Sequence, residues 1–315
     1  FFSVSMPGRK APGRKKDKSD FGEEQLDELL DQFKAKTHLM KQGISSPSQA
    51  KVQVPPQEPL PHVRRRLMVQ GKRYDLQEMM VIINERYQVP LWTKYLERHK
   101  TEQHIAETAT AHTFFDKQAT GLTYVEGLYM QAMAHSETMK DNPNKFMDDF
   151  LVPKLNRFLA EAQQPPVAPR SYTEYITTCI AKNYSPFLDI RYTGQRAGWG
   201  LFAAEDLVLF DLIGIYTGEL RLLDEMDAEE RKLNCYLCTF PEKDKGLITD
   251  AQNCGNYTRF INHSTQHNLF CIHLNINKIP YMALVSSGCS KGQEILWDYG
   301  QSYNTDWQDS GAGAG

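Results

Sequence analysis

Two stretches near the C-terminal end concentrate the side chains that chemistry needs. Arg259-Phe260-Ile261-Asn262-His263-Ser264 sets an amide, an imidazole and a hydroxyl on consecutive positions, and Glu294-Ile295-Leu296-Trp297-Asp298-Tyr299-Gly300 ends an apolar, strand-like run with a tyrosine. Buried polar groups need partners, so Asn262-His263-Ser264 between apolar runs is either a hydrogen-bonded structural knot or a site. Two upstream segments belong with them. In Arg196-Ala197-Gly198-Trp199-Gly200-Leu201-Phe202 the glycines bracket an aromatic, so backbone can approach a ligand closely. No helix signal or Lys-Ser/Thr follows, which excludes a phosphate loop. Tyr216-Thr217-Gly218-Glu219 reads as a strand that ends at a glycine.

The elements that must hold these residues are short strands. From Tyr172 onward, runs such as LDIRYT, GLFAAE, LIGIYTGEL, LFCIHLNI, PYMALVSS and EILWDYG alternate with Gly, Pro, Asn and Lys-Gly turns. Such spacing predicts a β-dominated domain of small sheets over 171–303. Upstream, residues 75–164 carry apolar residues at three-to-four spacing and predict a helical region, with Asp75 as its N-cap. Pro165-Pro166 and Pro169 close it near residue 170. The fold class expected is therefore α+β: a C-terminal β-rich domain preceded by helices. Residues 21–74 read as an amphipathic helix (Leu26, Leu29, Leu30, Phe33) and a Pro-rich linker. Residues 1–20 read as a disordered basic tail whose clusters Arg9-Lys10 and Arg14-Lys15-Lys16 are either a nuclear-import or nucleic-acid arm or a solvated tail. The start without Met reads as a tag or trimmed end, and residues 304–315 as a tail closing on a linker-like GAGAG.

The totals set the limits. The 315 residues, 41% hydrophobic and 24% charged, suit one large or two ordinary globular domains. A net charge of -3 argues against direct nucleic-acid binding by bulk electrostatics. No apolar run approaches the roughly 20 residues that span a bilayer, so no membrane role is expected. Cys179, Cys235, Cys238, Cys254, Cys271 and Cys289 lack regular spacing; the lone Cys235-x-x-Cys238 has no second pair, and reduced thiols are expected. His99, His104, His112 and His135 have no ligand-spaced partners and read as core or surface residues.

The four segments, in this order, resemble the SET-domain protein-lysine methyltransferases over about Asp189 to Tyr303. Gly198-Trp199-Gly200 resembles the family's GxG, Tyr216-x-Gly218 its YxG, Asn262-His263-Ser264 its NHS, and Glu294-Ile295-x-x-Asp298-Tyr299 its ELxxDY. The resemblance implies an S-adenosyl-L-methionine-dependent lysine N-methyltransferase whose chain is threaded as a pseudoknot beside the catalytic tyrosine. It implies Gly198, Trp199, Gly200, Arg259, Asn262 and His263 as cofactor-binding residues. Tyr299 is implied as the catalytic tyrosine with Tyr216 beside it, and Trp297, Phe260 and Tyr303 as the lining of the substrate channel. A lysine has to be neutral to attack, yet its ordinary pKa is about 10.4; an apolar channel and a nearby cation both lower it.

The departures carry expectations of their own. Thr265 stands where zinc-binding members carry a cysteine, His267 stands where proline is usual, and no cysteine follows Tyr299. No zinc is expected, and the segment with Tyr303 and Trp307 is expected to close the channel. Trp297 stands where Phe or Tyr is usual, which leaves the methylation state open. In organisation the chain is similar to the SET-domain effectors that intracellular bacteria deliver to methylate host histones. That likeness implies a histone tail, histone H3 first, as partner, import into the nucleus through Arg9–Lys18, and otherwise a cytoplasmic place. Non-histone substrates and a silent binding module remain the alternatives.

Overall fold

The computed structural model describes residues 66–83 apart from 75, residues 94–95, and residues 121–300 apart from 137–138, 195–197, 240–245 and 277–278. The expectations for the tail, for the amphipathic helix, for Asp75, His99, His104 and His112, and for Tyr303 and Trp307 lie outside the described residues. In chain order the first elements are β1 (Leu67–Val69), β2 (Lys72–Arg73), α1 (Leu76–Val81), β3 (Lys94–Tyr95) and α2 (Gly121–Ala134). Then come α3 (Pro143–Phe146), a π-helical turn at Met147–Leu151, α4 (Val152–Glu161) and α5 (Tyr172–Ala181). The β-rich part holds β4 (Leu188–Gly194), β5 (Gly198–Ala203), β6 (Leu207–Ile215), β7 (Glu219–Leu222), α6 (Ala228–Leu233), β8 (Leu237–Thr239), β9 (Leu247–Asp250) and β10 (Cys254–Gly255). A 3-10 turn at Tyr257–Phe260 leads into β11 (Asn262–His263), β12 (Leu269–Ile276), β13 (Ile279–Cys289) and β14 (Leu296–Trp297). The architecture is α+β, with the β-rich region at the C-terminal side of helices.

One antiparallel sheet, ordered β12-β13-β6, divides the interior. Successive side chains of a strand point to opposite faces, and the sequences of β12 and β13 use both. Phe270, Ile272, Leu274, Tyr281, Ala283 and Val285 enter a core with α2, α4 and α5. Leu269, Met282, Leu284 and Cys289 enter a second core with Tyr216, Phe260, Ile261 and Ile295. The functional segments therefore line the second core, and the helices buttress the sheet from behind.

The helical layer is tied to the sheet by a buried polar knot. Asp211 on β6 is fully buried, pairs with Lys154 of α4, and accepts hydrogen bonds from the hydroxyls of Tyr184 at 3.0 Å and Tyr175 at 3.4 Å. Around it Tyr129 stacks on Tyr172 at 4.8 Å, with Phe210 edge-on to Tyr129 at 5.3 Å.

Three elements depart from the periodicity reading. α5 lies at the head of the stretch from Tyr172 onward that is expected to be β-rich. Ser171 caps it by accepting the Glu174 N–H at 3.1 Å, and Glu174 returns a bond from the Arg170 N–H at 2.8 Å. Leu67–Val69, in the segment taken as linker, pairs in parallel with Leu188–Ile190 of β4. Lys94–Tyr95, in the region read as helical, is extended and pairs with β10. Among the described residues no helix is long and apolar enough to cross a membrane.

Candidate active site

The site forms where short pairings between distant segments meet. β5 is held on one side by β4, with Tyr192 opposite Trp199 and Arg191 opposite Gly200. Its other side is held by the segment before β14: Ala203 N–H donates to Gln293 O at 2.9 Å and Ile295 N–H to Leu201 O at 2.7 Å. Gly198 enters β5 at φ +68, a left-handed conformation that glycine adopts without strain, and open space lies where a Cβ would project. Gly200 plays a different part, since a Cβ there would meet the carboxylate of Glu294 and force that side chain to shift. Trp199 is buried, its ring edge-on to Tyr192 at 5.7 Å.

β11 and β14 then pair in parallel, Asn262 beside Leu296 and His263 beside Trp297. Asn268 laces the crossing. Its Nδ2 donates to Glu294 O at 2.8 Å, and its Oδ1 accepts the Leu296 N–H at 2.9 Å. The Asn262 Nδ2 donates to Glu294 Oε1 at 2.7 Å and to Trp199 O at 3.3 Å, so β5 and β11 share one corner. The His263 Nδ1 accepts the Tyr299 N–H at 3.1 Å, which puts the proton of the neutral ring on Nε2.

The parallel pair delivers Tyr299 to a fixed place, where its hydroxyl donates to Ile261 O. Tyr216 follows β6 directly; its N–H donates to Met282 O at 2.9 Å and its hydroxyl donates to Tyr236 O at 2.9 Å. Trp297 stands between the two phenols, 5.9 Å from the Tyr216 ring and 5.4 Å from the Tyr299 ring. Each phenol spends its proton on a backbone carbonyl and so keeps lone pairs to accept from a substrate. Burial pushes the Tyr216 hydroxyl well above its ordinary 10.0; Cys238 and Tyr299 add to the rise and the Arg259 guanidinium offsets part of it.

Residues 198–300 match the SET domain family. That span of the chain contains Gly198, Trp199, Gly200, Tyr216, Arg259, Phe260, Asn262, His263, Trp297 and Tyr299. Among characterised proteins, the histone-lysine N-methyltransferase EZH2 of Chaetomium thermophilum is 33% identical over 122 residues, covering 35% of this chain and 8% of that protein. The H3 lysine-36 specific histone-lysine N-methyltransferase of Mus musculus is 32% identical over 154 residues, covering 46% of this chain and 6% of that protein. Among solved structures, an active polycomb repressive complex 2 in the basal state covers 40% of this chain and 17% of its own at 29% identity, with a TM-score of 0.37. The chain thus spans less than a tenth of the length of these two curated relatives.

These relatives correct one expectation. The chain is similar to histone-lysine N-methyltransferases of eukaryotes, which overturns the expected likeness to bacterial effectors. The effector likeness rested on missing cysteine clusters, helices and a basic tail, features that arise in unrelated chains. The family match at residues 198–300, by contrast, spans the segments that build the site.

The other expected residues fall as follows. Arg259 is buried and stacks 4.3 Å over the ring of Tyr236, the residue whose carbonyl receives the Tyr216 hydroxyl. Phe260 is buried in the same core as Tyr216, its ring 5.7 Å from the Arg259 guanidinium. Cys235 is exposed, and burial pushes the Cys238 thiol up to about 12. Tyr236, Asn268 and the carboxylate of Glu294 are participants that sequence reading missed. Only Glu294 had a signal, its place at the head of the EILWDY run.

Proposed function

We propose that this chain is an S-adenosyl-L-methionine-dependent protein-lysine N-methyltransferase that acts on a histone tail, with histone H3 as the first substrate to test. The arrangement that carries this reading is the Tyr216-Trp297-Tyr299 ring cluster, set against the Asn262–His263 strand by the parallel β11–β14 pairing. The chain's residues fit the cofactor. Gly198 leaves open space beside Trp199, Asn262 turns its Nδ2 inward and leaves its oxygen to meet a donor, and His263 keeps a proton on Nε2. When bound, the cofactor supplies a methyl group on a sulfonium, electrophilic enough for an amine to take it.

The chain's own residues prepare the amine. Ring faces of Tyr216 and Trp297 exclude water, which disfavours the ammonium form and lets its proton leave to solvent. The Tyr299 hydroxyl, pinned to Ile261 O, accepts from the amine N–H and holds the nitrogen lone pair in line. Tyr216 stays a neutral phenol because of its burial, so no negative charge competes for the proton. The histone assignment draws on the relatives, whose names state histone-lysine and H3 lysine-36 activities.

Transfer of labelled methyl from the cofactor to a histone mixture tests the proposal. Wild type labels H3, and Y299F falls by about a hundred-fold or more, the scale for losing one positioned hydroxyl. Absence of labelling on any histone by wild type sinks the histone reading, and absence on any protein sinks the enzyme. Access to chromatin would come from the basic clusters within Arg9–Lys18; a fluorescent fusion lacking residues 1–20 then stays out of the nucleus while the full chain enters.

A further inference from the structure

Glu294 stands at the corner where β5, β11 and the strand before β14 touch. Its backbone is fixed three ways: a bridge to Phe202, its carbonyl accepting the Asn268 side chain at 2.8 Å, and the next N–H donating to Leu201 O at 2.7 Å. Its side chain occupies the volume that Gly200 leaves free. From there Oε1 accepts the Asn262 Nδ2 at 2.7 Å, while the second contact of that nitrogen, to Trp199 O, is longer at 3.3 Å. A carboxylate and a carbonyl only accept, so chemistry alone decides which way the amide faces. The NH2 has to face Glu294 and Trp199, and the Oδ1 has to face the other way. Reversing the amide would set its oxygen against two acceptor oxygens. The Glu294 contact is both shorter and charge-assisted, and so is the stronger of the two holds.

We propose that Glu294 is a positioning residue: it locks the Asn262 amide so that Oδ1 is presented to the ligand, and it thereby sets affinity for a cofactor that brings a donor or cation to that point. The inference rests on the methyltransferase reading above. Without the carboxylate, Asn262 keeps the long contact to Trp199 O and its amide can turn, offering a donor where an acceptor is needed. A mismatched polar contact in a binding site weakens binding more than a missing one does.

Calorimetric titration with S-adenosyl-L-methionine tests it, using wild type, E294Q, E294M and E294A, with melting of each protein measured without cofactor. E294M keeps the stem and loses the acceptor; E294A loses both; E294Q keeps an acceptor oxygen and loses the charge. Expected are a Kd raised about ten-fold in E294M and E294A, and within about three-fold of wild type in E294Q. The methionine variant guards against a folding defect in the alanine one. In turnover the loss falls on KM for the cofactor, with kcat at saturating cofactor largely kept. An unchanged Kd in E294M and E294A overturns the inference, as does an E294Q loss equal to theirs. If wild type itself binds no cofactor, the methyltransferase reading falls and this inference falls with it; if wild type binds and the variants match it, only the inference falls.

Discussion

Asn268 offers the sharpest test of how the site is assembled. Its side chain makes two bonds across the crossing, to Glu294 O at 2.8 Å and from the Leu296 N–H at 2.9 Å. N268A removes both and keeps the backbone bonds of residue 268 to Leu296 O and from the Ser287 N–H. The Leu296 N–H is then left without a partner, and the Glu294 carbonyl keeps only the long contact from the Cys289 thiol at 4.0 Å. At about 1–3 kcal/mol each, less what entering water restores, the loss is about 2–5 kcal/mol. For a folded unit of this size that lowers the melting point by about 5–15 °C. Leu296 lies three residues before Tyr299, so the same change loosens the tyrosine and lowers kcat. Calorimetry gives the stability, and site-resolved hydrogen exchange follows the Leu296 amide. N268D separates the two bonds: it keeps an acceptor for the Leu296 N–H but turns a carboxylate toward Glu294 O. The Leu296 amide is therefore protected in N268D and exposed in N268A. A melting point within about 2 °C of wild type in N268A, with that amide still protected, would refute the lacing role.

K154M leaves the buried carboxylate of Asp211 with the two tyrosine hydroxyls and no cation; it costs about 3–5 kcal/mol, and the K154M/D211L double variant recovers most of that. A denaturant titration in which the double variant is no more stable than K154M contradicts this. W297F makes room between the Tyr216 and Tyr299 rings and shifts products toward higher methylation, read by mass spectrometry of the substrate peptide; an unchanged product ratio means that Trp297 does not limit the space. Because burial holds the Tyr216 hydroxyl well above 10.0, its phenol stays protonated through the working range, and kcat shows no falling limb from this group. A descending limb below pH 9 that disappears in Y216F would count against it. Burial lowers His273 to about 4 from its ordinary 6.5, so the unfolded chain binds the extra proton between those values. Its contribution is present above about 6.5 and is lost as pH falls toward 4, up to about 3 kcal/mol. H273Q should flatten stability over that window, and an equal slope in both proteins would exclude His273 as the cause.

What could be read from the sequence tracks how local each signal is. The short runs LFCIHLNI and PYMALVSS, set off by turn residues, marked strands, and the structure uses both their faces. α5 stayed hidden because Tyr, Ile and Thr in TEYITTCI favour a strand by propensity, while the cap that starts the helix, Ser171 with Glu174, is a local signal that was available. β1 could not be seen because its partner, β4, lies more than a hundred residues away and the intervening chain gives no hint of the pairing. β11 and β14 hold two residues each, too few for any period, and were found only as parts of motifs. The motif residues came together, but what holds them did not show in the sequence. Asn268 is a lone amide in a turn, and the Tyr236 carbonyl is a backbone atom that no side-chain pattern can mark.

The topology also explains why a helical layer accompanies this site. Parallel neighbours need a connection long enough to carry the chain back to its starting end. Between β11 and β14 that connection is the β12–β13 hairpin. The hairpin therefore does two jobs, since one face carries Leu269, Met282 and Leu284 into the site's core and the other carries Phe270, Ile272 and Val285 into the helical core. Close-packed interiors transmit displacement, so a cavity cut on the helical face next to Leu269 ought to reach the crossing. F270A is the direct trial: it removes a ring 5.7 Å from Phe210 on the face opposite the site, costs about 3–5 kcal/mol, and should speed exchange at the Leu296 amide at temperatures where the chain is still folded. Were exchange at Leu296 unchanged while amides of α5 accelerate, the helices would be a separate folding unit and not a support for the site.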